Sequence, residues 1–459
     1  MTRIIFLIVV FLSISIKLFS QNQYNIETLK KIEYLYNHQD WEELIKVCSL
    51  EEDSVINDPK INLYLAISHY NLNEYRIANR CFEIACKKDT SNFIKENFYN
   101  SLLINNNIVE ARKLSEDITD SLFREKIGVR KNTFVISASA LYGAILNNNY
   151  DDVVTKNPSD TVFNNIYRDK INQYFAANVD LRLNSYYNLY FSFSRFNDYK
   201  TQSVALDTFN QDLNINAEEN NVFFKIKYNS LKLDWYVGLN IWSSQQEYDY
   251  FYYKETNNYF YYENDEIKKA TRYISKISNY LFANANYNFD YISLGLNFAY
   301  GDLFYNKQVQ LGLNLKYYPF ANNSLVLYLY PSYIRTKDLY YKYYLINHQS
   351  LSSYYNDVEL VTKFGFDVSL MKKFRASVSA NFGGVNILHE TPGFFIYNGS
   401  DEITSLYSIK FDYNLIDNLI LFVNYSYSNQ NHYYYGNDVT THIQTFNYQS
   451  FSGGLKYSF

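Results

Sequence analysis

Beyond about residue 180 the chain settles into a period of two, and that alternation rules out most folds. Val309, Leu311, Leu313, Leu315 and Tyr317 fall on one face of a run whose other face is Gln310, Gly312, Asn314 and Lys316. Leu419, Leu421, Val423, Tyr425 and Tyr427 oppose Asn424, Ser426 and Ser428, and Leu455, Tyr457 and Phe459 oppose Gly454, Lys456 and Ser458. Successive side chains of a strand point to opposite sides. One face here is uniformly apolar, while the other accepts Lys, Asp and Asn and must therefore meet water.

A soluble sandwich also alternates, but the connections argue for a membrane barrel. We read about twelve strands, near 181–196, 221–229, 231–243, 272–289, 291–301, 307–318, 323–335, 354–370, 373–386, 404–414, 418–428 and 445–459. The even-numbered connections are tight, around Ser230, Asp290, Phe320–Asn322, Lys372 and Leu415–Asp417. The odd ones are mostly long: 197–220, 244–271, 336–353, 387–403 and 429–444. Short turns on one side and longer loops on the other are the pattern of outer-membrane barrels. The Tyr-rich stretch Gln245–Asn264 reads as loop, part of which extends its flanking strands above the membrane. After the N-terminus no segment is long and apolar enough for a membrane helix, so a closed barrel is the remaining way to span.

Parity then assigns the inside of the barrel. The bases predicted to line the lumen include Lys225, Lys227, Lys232, Lys276, Lys316, Lys363, Arg375, Lys410 and Lys456. The predicted acids are Asp234, Asp357, Glu359, Asp367 and Asp412. Twelve strands give a backbone diameter of about 24 Å. A basic lumen favours anionic solutes; paired and packed side chains would instead plug it.

The first half is physically different. Of 51 Tyr, 9 precede residue 165 and 42 follow it. Residues 1–20 carry Arg3 and then a 13-residue apolar core, Ile4–Ile16, which fits a secretory signal peptide. Residues 21–175 show helical spacing, and the barrel is expected over 176–459. Trp41-Glu-Glu-Leu44, Tyr75-Arg-Ile-Ala78 and Ile108-Val-Glu-Ala111 recur at 34 and 33 residues, with a weaker copy at Tyr150-Asp-Asp-Val153. Leu65 and Ala66 on one helix, and Tyr75, Ala78, Phe82 and Ala85 on the next, form a packing set. This stretch resembles a tetratricopeptide repeat, an α-solenoid whose period is about 34 residues. The resemblance implies a concave surface for a periplasmic protein or polymer.

The fold class expected is thus an α + β multidomain chain, an α-solenoid followed by an antiparallel transmembrane β-barrel. That layout is similar to exporters of poly-N-acetylglucosamine and cellulose in the outer membrane of Gram-negative bacteria. It implies an export or transport channel with a periplasmic docking domain; the alternative is a silent barrel that anchors such a domain for a surface-assembly or secretion complex.

Other classes are excluded more simply. A net charge of −5 and the lack of any basic run speak against nucleic acid, leaving outer-membrane lipid as the surrounding partner. Cys48, Cys81 and Cys86 have neither disulfide nor zinc spacing. The six His (His38, His69, His348, His389, His432 and His442) pair with no nucleophile or orienting acid, and no phosphate or calcium loop occurs. No enzyme activity, metal or cofactor is expected.

Overall fold

The computed structural model describes residues 27–50, 58–89, 91–105, 107–118, 135–148, 164–183, 186–206, 209–253, 267–303, 306–344, 350–370, 373–389, 396–416, 418–435 and 441–458. The signal-peptide segment, the Tyr150–Val153 copy and Phe459 lie outside the described residues. The chain forms two compact units, one of Met1–Lys131 with Tyr318–Asn323, the other of Asn132–Tyr317 with Ser324–Phe459.

The first unit is helical: α1 (27–37), α2 (Trp41–Ser49), α3 (Pro59–Asn71), α4 (Tyr75–Lys88), α5 (Asn92–Ile104) and α6 (Ile108–Glu116). Local chemistry sets these limits. Asp58 caps α3, its carboxylate accepting from the Lys60 and Ile61 amides at 2.8 and 3.3 Å, with Pro59 in the first turn where no amide is needed. Three helix-to-helix turns share one hydrogen bond: Asp40 N to Leu35 O, Glu74 N to His69 O and Asn107 N to Leu102 O, at 3.0, 2.8 and 2.7 Å. Residues 40, 74 and 107 keep the 34- and 33-residue spacing seen in the sequence. Gln39 and Asn73 take positive φ at 59° and 64° to make these turns. His69 Nδ1 also meets Glu74 at 2.6 Å across the α3–α4 turn.

Leu65, Ala66, Ala78, Phe82 and Ala85 are buried in this unit, with Ile77 and Cys81 beside them. Tyr75 is not: its ring stands edge-on to Tyr70 and its hydroxyl donates to Asn73, so Ile77 takes the core position assigned to it. The cysteines are free, and burial pushes the Cys86 thiol up to about 11. Within the same unit, Arg76 lies 3.7 Å from the Tyr318 ring centroid, and the Asn322 and Asn323 amides donate to the Asn73 and Asn105 carbonyls.

The second unit is a closed antiparallel barrel of fourteen strands, each paired with its sequence neighbours and β1 closing on β14. The strands are β1 (Val135–Asn147), β2 (Asn164–Arg182), β3 (Tyr187–Leu206), β4 (Phe209–Asn229), β5 (Leu233–Tyr253), β6 (Ile267–Asn288) and β7 (Ile292–Leu303). There follow β8 (Asn306–Tyr317), β9 (Leu325–Tyr344), β10 (Ser350–Leu370), β11 (Phe374–His389), β12 (Ile396–Ile416), β13 (Leu419–Tyr435) and β14 (Thr441–Ser458).

Three expectations need correction. The strand count is fourteen, not about twelve, because β1 and β2 occupy part of the region read as helical. Among the described residues the last helix ends at Glu116 and strand β1 begins at Val135, so the helical part does not run to 175. The long loops are largely strand. β3 and β4 stay in register to Leu206–Phe209, and β5 and β6 to Tyr253–Ile267, because the residues above the apolar band keep strand chemistry. At the other end every connection spans seven residues or fewer. Fourteen strands raise the backbone diameter to about 28 Å.

Candidate functional site

The outer face of the barrel states its solvent. On β8 the outward row runs Tyr317, Leu315, Leu313, Leu311, Val309 and then Lys307; on β7 it runs Ile292, Leu294, Leu296, Phe298, Tyr300 and then Asp302. Most of these apolar side chains are exposed; Leu296 is 64% and Leu313 56% accessible. Five outward positions span about 27 Å of strand and about 21 Å along the axis at a tilt near 40°, close to the apolar band of outer-membrane barrels. The turn end of the band carries aromatics: Tyr228 stacks on Trp235 at 5.9 Å, Tyr287 packs on Phe289 at 4.9 Å, and Tyr317 and Tyr457 are exposed beside them in the row. An apolar belt of this height on a closed barrel needs lipid around it. Among the described residues no helix is long and apolar enough to cross a membrane.

The inner face is polar and is built around glycines. Gly238 of β5 lies opposite Phe282 of β6, and a Cβ there would collide with the Phe282 ring. That ring crosses Gly238 and stacks on Phe223 of β4 at 5.0 Å and 8°. Gly301 sits under Tyr280 in the same way, and Gly365 under Tyr328. A large ring thus covers a bare stretch of backbone, which supports a strand that glycine alone would weaken. Phe223, Tyr236, Tyr280, Phe282 and Ala299 form one buried cluster, against which Tyr190 packs. The ammonium of Lys225 stands over its edge, 4.7 Å from the Tyr190 ring and 5.0 Å from the Tyr236 ring.

Below this cluster an amide ladder crosses four strands. Asn297 donates to Asn314, Asn314 to Asn286, and Asn286 and Asn288 to Asp234, at 2.9, 3.1, 2.8 and 3.0 Å. The ladder passes over β7 at Gly295, where any Cβ would strike the Asn286 amide. The opposite wall is lined by short hydroxyls, including Ser377, Ser379, Ser408, Ser426 and Ser452. Among the described residues, several buried inward acceptors have no protein partner: Oε1 of Gln310 and Oδ1 of Asn178 and Asn221. Buried carbonyl oxygens are seldom left bare.

The register places most of the predicted lumen residues on this inner face. Lys225, Lys227, Asp234, Lys316, Glu359 and Lys363 point inward, and so do Asp367, Arg375, Lys410, Asp412 and Lys456. Lys232 does not belong to the wall: it lies in the exposed β4–β5 turn, its carbonyl accepting from Asn288 N. Asp357 pairs with Thr336 along the backbone, and its side chain is outside the described set.

Part of the basic excess expected from the sequence is paired off within the wall. Arg375 pairs with Asp367 at 2.8 Å and Lys410 with Asp412 at 3.0 Å, while Asp180 of the unforeseen β2 adds a further acid facing Tyr190. A preference for anions loses its footing there. Among the described residues no group of His, Cys, Asp and Glu is placed to hold a metal ion.

The architecture and its outer belt are those of an outer-membrane β-barrel protein. No protein-family model and no curated protein matches the chain. Its fold is similar to that of a Pseudomonas aeruginosa FadL homologue, at 11% identity over 71% of this chain and 90% of that one, with a TM-score of 0.43. It is similar too to the Ralstonia pickettii toluene transporter TbuX, at 8% identity over 71% and 90%, with a TM-score of 0.44.

Proposed function

We propose that the chain is an outer-membrane channel or transporter that passes small polar solutes through a hydrated lumen. The supporting observation is the inner wall itself. Asn, Ser, Tyr and charged side chains face inward from strand after strand, and among the described residues buried acceptors such as Oε1 of Gln310 find no protein donor. A barrel serving only as an anchor gains nothing from a wall that must stay wet, because unpaired buried polar groups cost stability. In this reading the turn end faces the periplasm. The helical unit, with its repeated turn geometry, serves as a docking module for a periplasmic protein.

The test is electrical. The purified full-length protein, reconstituted in planar bilayers, is expected to give discrete conductance steps, and its proteoliposomes to swell in small uncharged sugars. Folded barrels that insert yet stay silent in both assays would leave the anchor reading in place of this one.

A further inference from the structure

The inner wall is not equally accessible all round. From Tyr236 to Ser244 on β5, Ser278 to Asn286 on β6, Asn297 to Gly301 on β7 and Gln308 to Asn314 on β8, every inward residue is buried. On the turn-side halves of β10 to β13 none is, from Gly365 and Asp367 across to Phe422, Asn424 and Ser426. Arg375 and Lys410 keep 47% and 45% of their side-chain surface accessible, although both point into the barrel. Side chains of that length stay accessible inside a barrel only where open space lies in front of them. Open space therefore lies against β10 to β13.

Strand register brings a defined set of groups to that space. Arg375 on β11 faces Asp412 on β12, which faces Phe422 on β13. In the next inward row Asp367, Ser377, Lys410 and Asn424 stand side by side on β10 to β13. Gly365, Ser379, Ser408 and Ser426 make the row after that. Two ion pairs link the first two rows, Arg375 with Asp367 at 2.8 Å and Lys410 with Asp412 at 3.0 Å. Phe422 lies over Gly454 of β14, where an added Cβ would meet the ring, and the Lys410 ammonium is 5.6 Å from the Phe422 ring centroid. Above the serines the inward Asn381, Leu406 and Ser428 are buried and end the accessible patch. Lys363 and Lys456 stand one row beyond it, at its upper and lower edges.

Together these groups suit a neutral polyol better than an ion. Each charge of the two pairs already has its counter-charge within reach, so an incoming ion must displace one. The carboxylates keep lone pairs to spare, and the guanidinium and ammonium keep N–H groups to spare. Neighbouring hydroxyls of a sugar can donate to the first and accept from the second while both pairs stay intact. The serine hydroxyls donate and accept alike. Phe422 offers an apolar ring to the C–H face of a sugar. Four strands and three inward rows make a patch about 14 Å across and about 14 Å along the strands, room for a mono- or disaccharide.

We propose that the inner face of β10 to β13 is a binding site for a small neutral sugar or polyol passing through the lumen. The proposal rests on the channel reading above and names its substrate class.

Maltose is the probe, titrated into the full-length protein in lipid nanodiscs by calorimetry and added to it during single-channel recording in planar bilayers. The wild type is expected to bind maltose saturably, and its conductance to fall over the same concentration range. Asp412→Asn, which removes one carboxylate, should weaken binding at least about fivefold. Phe422→Leu should weaken it about threefold. Folding of both is checked by mobility on unheated detergent gels. Ser379→Cys guards against misfolding of those variants: a water-soluble methanethiosulfonate should label it above the wild-type background, and maltose should slow the labelling. A conducting wild type that binds no maltose, folded variants that bind it as the wild type does, or an unreactive Ser379→Cys would overturn the site and leave the channel standing. Gluconate bound more tightly than sorbitol would overturn the preference for neutral solutes. A folded, inserted and non-conducting wild type would overturn both readings.

Discussion

The helical unit and the barrel use similar apolar residues in opposite ways. In the helices Ile61, Leu65, Ile77, Phe82 and Phe98 are turned inward, and Lys and Glu side chains stay at the surface, with a few exposed apolar residues such as Leu50 and Phe93. In the barrel Leu296, Leu313, Leu360 and Phe451 are turned outward, and the inside is left to Asn, Ser and Tyr. The residue types report the solvent each unit was built for. The first turns its apolar side chains in and the second turns them out, so sidedness rather than hydrophobicity distinguishes the two.

That contrast is tested most severely by deleting a side chain from the helical core. Phe82 is 1% exposed and stacks on Phe98 at 5.8 Å. Phe82→Ala removes a buried ring and leaves a cavity, at an expected cost of about 3–5 kcal/mol to the helical unit. Hydrogen exchange on the full-length protein should show faster exchange in α3 to α5 and unchanged protection in the strands. Equal loosening of both units would mean that they do not fold on separate cores.

The barrel makes the converse prediction. Leu313 is the central residue of the five-residue outward row on β8. Leu313→Arg puts a charge at the middle of the hydrocarbon and is expected to cost about 2–4 kcal/mol. Ser426→Arg, on the inward row of β13, should cost less than about 1 kcal/mol because its side chain meets water. Denaturant titrations in lipid vesicles separate the two. A larger penalty at Ser426 than at Leu313 would invert the assignment of faces.

What could be read from the sequence follows the same division. Strands from β3 onward announce themselves because their two rows differ in polarity, as β8 shows. β1 does not: its outward Ala138, Ala140, Tyr142, Ala144 and Leu146 oppose Ser137, Ser139, Leu141, Gly143 and Ile145, and small or apolar residues fill both rows. Such a run fits a helix equally well, and with β1 the neighbouring β2 was lost, along with Asp180. The upper halves of the long strands look like loops because above the lipid both faces meet water and alternation fades. Lumen residues followed from parity alone. The aromatic cluster did not, since it exists only once distant strands are placed side by side: Phe282 over Gly238 is 44 residues away in the chain. The simple excess of lysine over aspartate in the later strands suggested a basic pore, whereas Arg375 and Lys410 are paired with Asp367 and Asp412 in the folded wall.

The smallest effect belongs to a helix end. Asp58 holds two first-turn amides of α3, those of Lys60 and Ile61, which have no carbonyl partner inside the helix. Asp58→Ala exposes them to water at an expected cost of about 1 kcal/mol, and Asp58→Asn, which keeps an acceptor oxygen, should restore most of it. The strands have no counterpart to this loss, because ladder hydrogen bonds between neighbouring strands satisfy their backbone around the closed barrel. Exchange at the Lys60 and Ile61 amides of the full-length protein measures the effect directly. Acceleration in Asp58→Ala with recovery in Asp58→Asn would confirm that side-chain caps limit the helices. Equal acceleration in both variants would point instead to the carboxylate charge acting on the helix dipole.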